Sequence, residues 1–249
     1  MKTTFNVIGV AIDKLTMHGA ITALNVAVRS GTGGYGCFVN AHVTVTARKD
    51  LLLKKALKES TFAFPDGMPV YLTGRLRGES PLEKVSGPDF MQEVFTSKQC
   101  EHLRHYFYGG KEEVLEGLVS NIKIQYKNVQ IVGYESPPFR PLSERELEAA
   151  RERIRVANPD LIWIGLGAPK QEIWMNSNWQ SLRPAILLGV GAAFDFHSGH
   201  VQRAPEIWQK FGLEWLHRLL QEPGRLWKRY LITNSLFIGY SLLDLIFKR

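Results

Sequence analysis

Residues 161–172 read LIWIGLGAPKQE, and this stretch contains the pattern on which the fold prediction rests. A short apolar run, typical of a buried strand, ends in a glycine turn, and Pro169 then suits the first turn of a helix. Comparable apolar runs recur at 37–41, 105–108 and 185–190, and helix-like periodicity separates most of them. Because alternating strands and helices form largely parallel sheets, the sequence predicts an α/β protein with a Rossmann-like sheet and flanking helices.

The remaining elements follow the same alternation. The other strand-like runs lie at 5–13, 61–64 and 129–134. Long helices are predicted over 111–126 and 142–156, the second with Ser143 three residues before Glu146, as in a capping box. Ligands of such sheets collect outside the carboxyl ends of the strands, so the residues that follow each run are the candidates for a site.

The composition is that of a folded protein with an excess of basic residues. Of 249 residues, 45% are apolar and 22% are charged, which excludes the disordered and low-complexity classes. The chain has two cysteines in no CxxC spacing and no apolar signal-peptide region near its start, so we expect a cytoplasmic location. The formal net charge of +7 favours an anionic partner. No basic motif or RNP-like aromatic pattern supports nucleic acid, and we predict no nucleic-acid partner.

The composition changes after about residue 200, so we predict a core over 1–200 and a helical C-terminal appendage over 201–249. The helical pattern is broken at Pro223-Gly224. Aromatic residues alternate with basic ones: Trp208, Phe211, Trp215, Trp227, Tyr230, Phe237, Tyr240 and Phe247 with Arg203, Lys210, Arg218, Arg225, Lys228, Arg229, Lys248 and Arg249. Such interleaving is typical of a membrane surface, whereas the apolar stretch 231–247 is too short to cross a bilayer. A helical pair that packs on the sheet or on another subunit is the alternative.

Polar side chains occur where two of the predicted strands end. Asn40 and His42 lie at the end of one run, and Asp66 follows another in the sequence Phe-Pro-Asp-Gly-Met-Pro. An amide can bind sugar hydroxyls and a carboxylate can act as a general base. Each residue has a structural alternative, because Asp66 before Gly67 can be a turn or helix-capping residue and His42 can be an ordinary surface histidine.

Two glycine turns follow the later strands, at 165–172 and 189–199. The first opens a helix and suits a phosphate or another oxyanion at the helix N-terminus. Neither fits GxGxxG or a P-loop, which disfavours a dinucleotide enzyme or an NTPase. The sequence has no HExxH, no paired Cys or His spacing and no DxD pair, so we predict neither a metal nor another cofactor. If the reaction releases a diphosphate, side chains would have to neutralise it, and Arg218, Arg225 and Arg229 are the candidates. The alternative is that these three arginines only form a solvated basic face.

Seven short motifs occur in one order over nearly the whole chain. They are Phe38-Val-Asn40-Ala, Phe64-Pro-Asp66-Gly-Met-Pro69, Val85-Ser-Gly87-Pro-Asp89, Tyr108-Gly-Gly110, Gly165-Leu-Gly-Ala-Pro-Lys-Gln171-Glu172, Gly189-Val-Gly-Ala-Ala-Phe-Asp195 and Arg203-Ala-Pro205. The ordered set resembles the WecG/TagA/CpsF family of glycosyltransferases (glycosyltransferase family 26). The resemblance implies a GT-E type fold and an inverting, metal-independent transfer from a nucleotide diphosphate sugar, expected to be a UDP-sugar, to a polyprenyl-diphosphate-linked saccharide. It also implies a peripheral protein on the cytoplasmic face of the inner membrane, in the biosynthesis of cell-envelope polysaccharide or exopolysaccharide.

The resemblance also assigns site residues. Asp66 matches the family's proposed base and Asn40 its active-site Asn. The implied substrate-binding residues are Gln171, Lys84, Asp195, Arg218, Arg225 and Arg229, and the three arginines belong to an appendage that would close over the diphosphate and complete the site. Two positions depart from the family pattern, since Phe38 stands where Thr is frequent and Lys84 where Arg is frequent. Phe38 indicates a different sugar.

A non-catalytic membrane scaffold or nucleotide-sugar-binding protein is the alternative function. The presence of Asn40, Asp66 and Gln171 favours the enzyme. A dehydrogenase would require the GxGxxG turn that is missing. The sequence does not choose among hexose, uronic acid and N-acetylhexosamine donors, and it is compatible with a homo-oligomer.

Overall fold

A six-stranded parallel sheet forms the centre of the structure. The computed structural model describes residues 3–246, without the side chains of Lys210, Arg225 and Leu245. The strands are β1 (Thr4–Val7), β2 (Val10–Asp13), β3 (Gly34–Val39), β4 (Phe62–Pro65), β5 (Arg104–Gly109), β6 (Gln130–Glu135), β7 (Leu161–Gly165) and β8 (Ile186–Gly189). The α-helices are α1 (Met17–Ser30), α2 (Ala41–Ala47), α3 (Leu51–Glu59), α4 (Met68–Leu76), α5 (Gly87–Thr96), α6 (Glu112–Gln125), α7 (Glu144–Ala157), α8 (Lys170–Asn178), α9 (Ala193–His197), α10 (Glu206–Lys210), α11 (Glu214–Gln221) and α12 (Pro223–Ile246).

The sheet confirms the predicted α/β class. Its strand order is β4-β3-β8-β7-β5-β6, and all neighbouring strands are parallel. Alternate side chains of a strand enter two hydrophobic clusters, as expected of a sheet covered on both faces. On β3, Tyr35 and Val39 pack with α2, α3 and α8, whereas Phe38 packs with α1, α5 and α6. The arrangement is therefore Rossmann-like, with helices on both faces.

The prediction of a single strand over 5–13 is wrong. This segment forms an antiparallel hairpin, β1 and β2, outside the six-stranded sheet. The turn residues Ile8 and Gly9 have φ angles of 53° and 83°, and a β-branched residue disfavours that conformation, so the local sequence gives no sign of the turn. Ile8 is buried, and its packing offsets the local cost. The Asp13 carboxylate joins the hairpin to the sheet by accepting a hydrogen bond from the Ala63 N–H at 2.8 Å.

The two predicted long helices are confirmed as α6 and α7. The Ser143 hydroxyl accepts a hydrogen bond from the Glu146 N–H, and the Glu146 carboxylate accepts one from the Ser143 N–H at 2.8 Å. This is the predicted capping box. α6 buries one apolar face, made of Val114, Leu115, Leu118, Val119 and Ile122.

Two glycines allow helices to pack closely at the carboxyl ends of the central strands. A Cβ on Gly189, at the end of β8, would lie 2.6 Å from Met175 Cε and 3.2 Å from Gln171 Nε2. A Cβ on Gly165, at the end of β7, would overlap the Phe194 ring. α8 and α9 therefore reach the strand ends directly.

The C-terminal residues form the three helices α10, α11 and α12. The predicted break near Pro223 is confirmed, and a further break at 211–213 separates α10 from α11. One side of α12 packs along α2 and buries Leu226 and Phe237. Its far end is tied to the hairpin, because the Asp244 carboxylate accepts a hydrogen bond from the Ile8 N–H at 3.1 Å.

The other side of α12 is exposed and largely apolar. Its exposed apolar residues are Trp227, Leu231, Ile232, Ile238, Leu242, Leu243 and Ile246. Between residues 3 and 246, no helix is both long enough and apolar enough to cross a bilayer. Phe247, Lys248 and Arg249 of the predicted aromatic and basic pattern lie outside the described residues. α12 thus packs on α2 and the hairpin, whereas contact of the appendage with a membrane stays a prediction.

Candidate active site

A cleft of about 840 Å³ lies at the carboxyl ends of the parallel strands. Residues that follow β3, β4, β7 and β8 line one side, and residues of α10, α11 and α12 line the other. Because β3 and β4 are neighbours with Val39 opposite Pro65, the next residues, Asn40 and Asp66, emerge side by side. The cleft therefore brings the core and the appendage together around the predicted catalytic pair.

Asn40 positions Asp66. It is the N-cap of α2, and its Oδ1 accepts a hydrogen bond from the Val43 N–H at 3.1 Å. Its Nδ2 donates to Asp66 Oδ2 at 3.2 Å. Each polar atom makes one of its two possible hydrogen bonds here, so the second N–H of Nδ2 and the second lone pair of Oδ1 remain for a ligand in the cleft. Asp66 does not cap α4, because the N-cap of that helix is Gly67 and has no side-chain hydrogen bond.

The Asp66 carboxyl is more basic than an ordinary aspartate. Burial raises its pKa to about 6, while the hydrogen bond from Asn40 and the positive charge of Lys84 oppose this rise. The negative charges of Glu214 and Asp89 raise the pKa further. At pH 7 the group is therefore mostly ionised and still a better proton acceptor than an exposed aspartate, which suits a general base near neutral pH.

Gln171 ties the two glycine turns together. Its Nε2 donates to the Gly189 carbonyl at 2.7 Å, and its Oε1 accepts from the Gly167 N–H at 3.2 Å. The side chain is buried although it borders the cleft. The predicted substrate-binding residue thus bonds to other groups of the protein and holds the two turns that form part of the cleft wall.

Glu172 belongs to the site although the sequence assigned it no role. It is fully buried in the first turn of α8 and borders the cleft. Its Oε1 accepts a hydrogen bond from Gln171 Nε2 at 3.0 Å, and its Oε2 has no hydrogen-bond partner among the described residues. Burial raises the pKa of Glu172 to about 7, opposed by the hydrogen bond from Gln171 and the charge of Arg229. A buried acidic side chain thus lies in the helix turn for which the sequence suggested a phosphate or another oxyanion, and that ligand stays a prediction.

Arg218 faces the cleft from α11 with unused hydrogen-bonding capacity. Its guanidinium lies 3.9 Å from Asp195 Oδ2 and 3.7 Å from Glu222 Oε2, beyond hydrogen-bond distance. It stacks over the Phe196 ring at 5.5 Å from the centroid. Arg218 Nε is buried without a hydrogen-bond partner within the described part of the chain. The structure thus brings the predicted residues Arg218 and Asp195 together as a long ion pair at the edge of the cleft.

Two of the other predicted cations, Lys84 and Arg229, border the same cleft. Lys84 lies between α4 and α5, Arg229 lies on α12, and the Arg225 side chain falls outside the described residues. In the described lining, four lysines and arginines (Lys84, Lys111, Arg218 and Arg229) accompany six carboxylates (Asp66, Glu113, Glu172, Asp195, Glu214 and Glu222). The cleft is therefore of mixed charge, and a diphosphate needs specific contacts with individual cations.

Arg203 fastens the appendage to the core. It forms ion pairs with Asp89 of α5 at 2.6 Å and with Glu214 of α11 at 3.2 Å. All three side chains are only partly exposed, so solvent screens the pairs less than it would at the surface. Arg203, in the Arg203-Ala-Pro motif, thus fixes the position of α11 beside the cleft. The sequence did not indicate this role.

His42 is held neutral at the edge of the cleft. Its Nδ1 lies 3.4 Å from the Thr233 Oγ1 of α12. Burial, and secondarily the charge of Arg229, lowers the pKa of His42 to about 4. The imidazole therefore carries no charge at pH 7 and marks the contact between α2 and α12.

Phe38 gives the cleft an apolar patch. The ring is buried and lies 4.9 Å from the Phe64 ring, centroid to centroid. It also borders the cleft. At this position of the cleft wall the side chain is therefore a phenyl ring packed into the core, without a hydroxyl group.

Known proteins match this chain over most of its length. The Glycosyl transferase WecG/TagA/CpsF family matches residues 5–249, which include both the core and the appendage. A protein of Bacillus subtilis (strain 168), named N-acetylglucosaminyldiphosphoundecaprenol N-acetyl-beta-D-mannosaminyltransferase, is 36% identical over 194 residues. These residues are 78% of this chain and 73% of the relative. With its strand-end carboxylate and appendage-lined cleft, the chain belongs to the WecG/TagA/CpsF family and is a glycosyltransferase.

Proposed function

We propose that the enzyme transfers a sugar from a UDP-sugar to a saccharide linked to polyprenyl diphosphate, with inversion at the anomeric carbon. The observation that carries this proposal is the Asp66 carboxylate, with its raised pKa, held by Asn40 in a cleft shared by the core and the appendage. The name of the B. subtilis relative specifies an undecaprenyl-diphosphate-linked acceptor and N-acetylmannosaminyl transfer. N-acetylhexosamines are therefore the first donor class to test.

One carboxylate is enough for the inverting reaction. Asp66 accepts the proton of the acceptor hydroxyl while that oxygen bonds to the anomeric carbon. The bond from this carbon to the diphosphate oxygen breaks on the opposite face, and the nucleoside diphosphate leaves with the electron pair. No covalent enzyme intermediate is needed, so a second carboxylate has no required role.

Guanidinium groups are the proposed stabilisers of the leaving diphosphate. Arg218 has a buried Nε without a hydrogen-bond partner among the residues described, and a phosphate oxygen would supply one. Charge-assisted hydrogen bonds of this kind are roughly twice as strong as neutral ones. Because charge on the diphosphate grows as the bond breaks, the contact strengthens in the transition state. Arg225 and Arg229 are the other two proposed phosphate-binding arginines of the appendage.

The exposed apolar side of α12 supports peripheral attachment to the cytoplasmic membrane surface. Trp227 and Ile238 are exposed there, and Lys228 lies beside Trp227 with its Nζ 5.5 Å from the ring centroid. Aromatic rings and lysine side chains favour headgroup depth. This placement would bring the cleft close to a lipid-linked acceptor.

A direct assay tests the proposed function. Purified protein is mixed with a panel of UDP-sugars and a synthetic N-acetylglucosaminyl diphosphate lipid, and products are identified by mass and anomeric configuration. Transfer of one sugar with inversion supports the proposal. Donor binding without product would instead favour the nucleotide-sugar-binding alternative, and retained configuration would exclude the single-base mechanism.

The kcat/KM of the enzyme should rise with pH through a midpoint near 6 and then level off. The base is active when ionised, so activity falls about tenfold per pH unit below the Asp66 pKa of about 6. Lys84→Met removes a positive charge that lowers this pKa, so its midpoint should move to higher pH. The exposed Lys123→Met on α6 is the matched control, with an unchanged midpoint. A Lys84→Met profile with the wild-type midpoint would contradict the assignment.

Transfer should be insensitive to chelators. Between residues 3 and 246, no group of three or more His, Cys, Asp or Glu side chains is arranged to hold a metal ion. We therefore expect full activity in excess EDTA, measured as product per minute against an untreated sample. Loss of activity that Mn²⁺ or Mg²⁺ restores would show that a metal takes part.

A further inference from the structure

A second groove, of about 860 Å³, lies beside the cleft between the α2–α3 connection and the first half of α12. Its apolar walls are Leu51 and Leu52 at the start of α3 and Ile232 on α12. These side chains are 77%, 64% and 58% exposed, so three large apolar groups border one groove without being buried. Asp50 caps α3 by accepting hydrogen bonds from the Leu52 and Leu53 N–H groups, both at 3.0 Å, which fixes the leucine wall in place.

The groove is continuous with the active-site cleft. His42, Arg229 and Thr233 line both. The His42–Thr233 contact at 3.4 Å therefore marks the boundary between the two spaces. A ligand that extends out of the cleft past Arg229 enters the groove.

The charges around the groove fit an apolar chain with an anionic end. Lys49 and Lys228 border it, and Arg229 stands where it meets the cleft. The one carboxylate in its described lining, Asp50, is directed to the α3 backbone. An anion at the junction would therefore meet cations, while the chain beyond it would meet leucine and isoleucine.

We propose that this groove binds the first isoprene units of the acceptor lipid, with the acceptor diphosphate at the junction beside Arg229. The inference rests on the proposed function and adds the site of the lipid chain. Continuity with the cleft favours one acceptor chain over a bilayer, because a chain that leaves the cleft past Arg229 must cross these apolar side chains. The acceptor sugar would then lie within the cleft and the chain would leave it between α3 and α12.

Acceptor length provides the test. Two acceptors carry the same saccharide diphosphate, one linked to a single isoprene unit and the other to four units. Both are assayed without bilayers and below their critical micelle concentrations. We expect kcat/KM of the wild-type enzyme to be higher for the longer acceptor by about tenfold or more, which corresponds to about 1.4 kcal/mol. Leu52→Gln and Ile232→Gln should reduce this ratio towards one. Ile124→Gln, an equally exposed position on α6, should keep it.

Each outcome has a distinct meaning. Product from neither acceptor would refute the proposed function, whereas equal kcat/KM for both in the wild-type enzyme would refute the groove assignment alone. If the groove variants lower vesicle binding or dissociate a dimer while the length ratio persists, the groove contacts a bilayer or a second copy and the proposal is wrong.

Photolabelling keeps the test independent of how well the variants fold. A four-unit acceptor with a diazirine on its second isoprene should label the wild-type protein within 45–52 or 228–236, as located by peptide mass spectrometry. Labelling confined to other segments would overturn the proposal.

Discussion

The Asp66→Asn enzyme should turn over about two to four orders of magnitude more slowly than the wild type, the usual contribution of a general base. The amide has nearly the same volume and can still accept the hydrogen bond from Asn40 Nδ2. It also removes a partly buried carboxyl whose ionisation is disfavoured. The midpoint of thermal unfolding should therefore not fall, so slower transfer can be attributed to the lost base. Single-turnover product formation measures the effect.

A neutralised carboxylate elsewhere provides the control. Glu116→Gln, on the exposed face of α6, should keep wild-type turnover. The acid limb of the pH profile should also disappear in Asp66→Asn, since the titrating group is gone. Turnover within a few-fold of the wild type in that variant would remove Asp66 from the mechanism.

Removal of the residues after Gln202 should abolish transfer. The truncation deletes Arg218, Arg229 and one side of the cleft, although all strands and α1–α9 stay. We expect a core that folds with a lower unfolding midpoint, because α2 loses the cover of α12 and the buried Phe237. Product formation and far-UV circular dichroism on the same sample separate loss of catalysis from loss of fold. The truncated protein should also stay in the soluble fraction when mixed with vesicles.

A single substitution separates catalysis from attachment. Arg218→Met keeps the appendage and should lower kcat by about two to three orders of magnitude, as loss of a transition-state hydrogen-bond donor does. Arg155→Met, on the exposed side of α7, is the matched control and should have no such effect.

If the truncated protein transfers sugar as fast as the full chain, the appendage serves only attachment or assembly, and its arginines are not site residues.

Local patterns predicted the α/β architecture because they act within a few residues. Strand-like runs bounded by glycine turns, and the Ser143–Glu146 capping box of α7, are formed by residues a few positions apart, and here they agree with the global fold. The sequence did not predict the hairpin of β1 and β2, because its turn depends on contacts between residues that are far apart in the chain. Its turn places Ile8 in a conformation that the residue disfavours, and distant packing stabilises it.

The proposed catalytic pair was predictable in part. The sequence placed Asn40 and Asp66 at strand ends, and the order of the motifs indicated the family. It did not decide between a base and a helix cap for Asp66, because that choice depends on which residue caps α4. The neighbouring positions of β3 and β4 also follow from the assembled sheet.

The sequence alone was sufficient for the fold class, the family and the candidate base, since these depend on short-range periodicity and on motifs in a fixed order. Other features of the site depend on tertiary packing, because they arise from groups that the folded chain brings close. They are the raised pKa of Asp66, the burial of Glu172 and the hydrogen bonds by which Gln171 ties the two glycine turns together. Arg203 is an example at longer range. It reaches Asp89, more than a hundred positions earlier, and this ion pair sets one side of the cleft. Electrostatic and packing energies depend on distance in space, so these features exist only once the chain has folded.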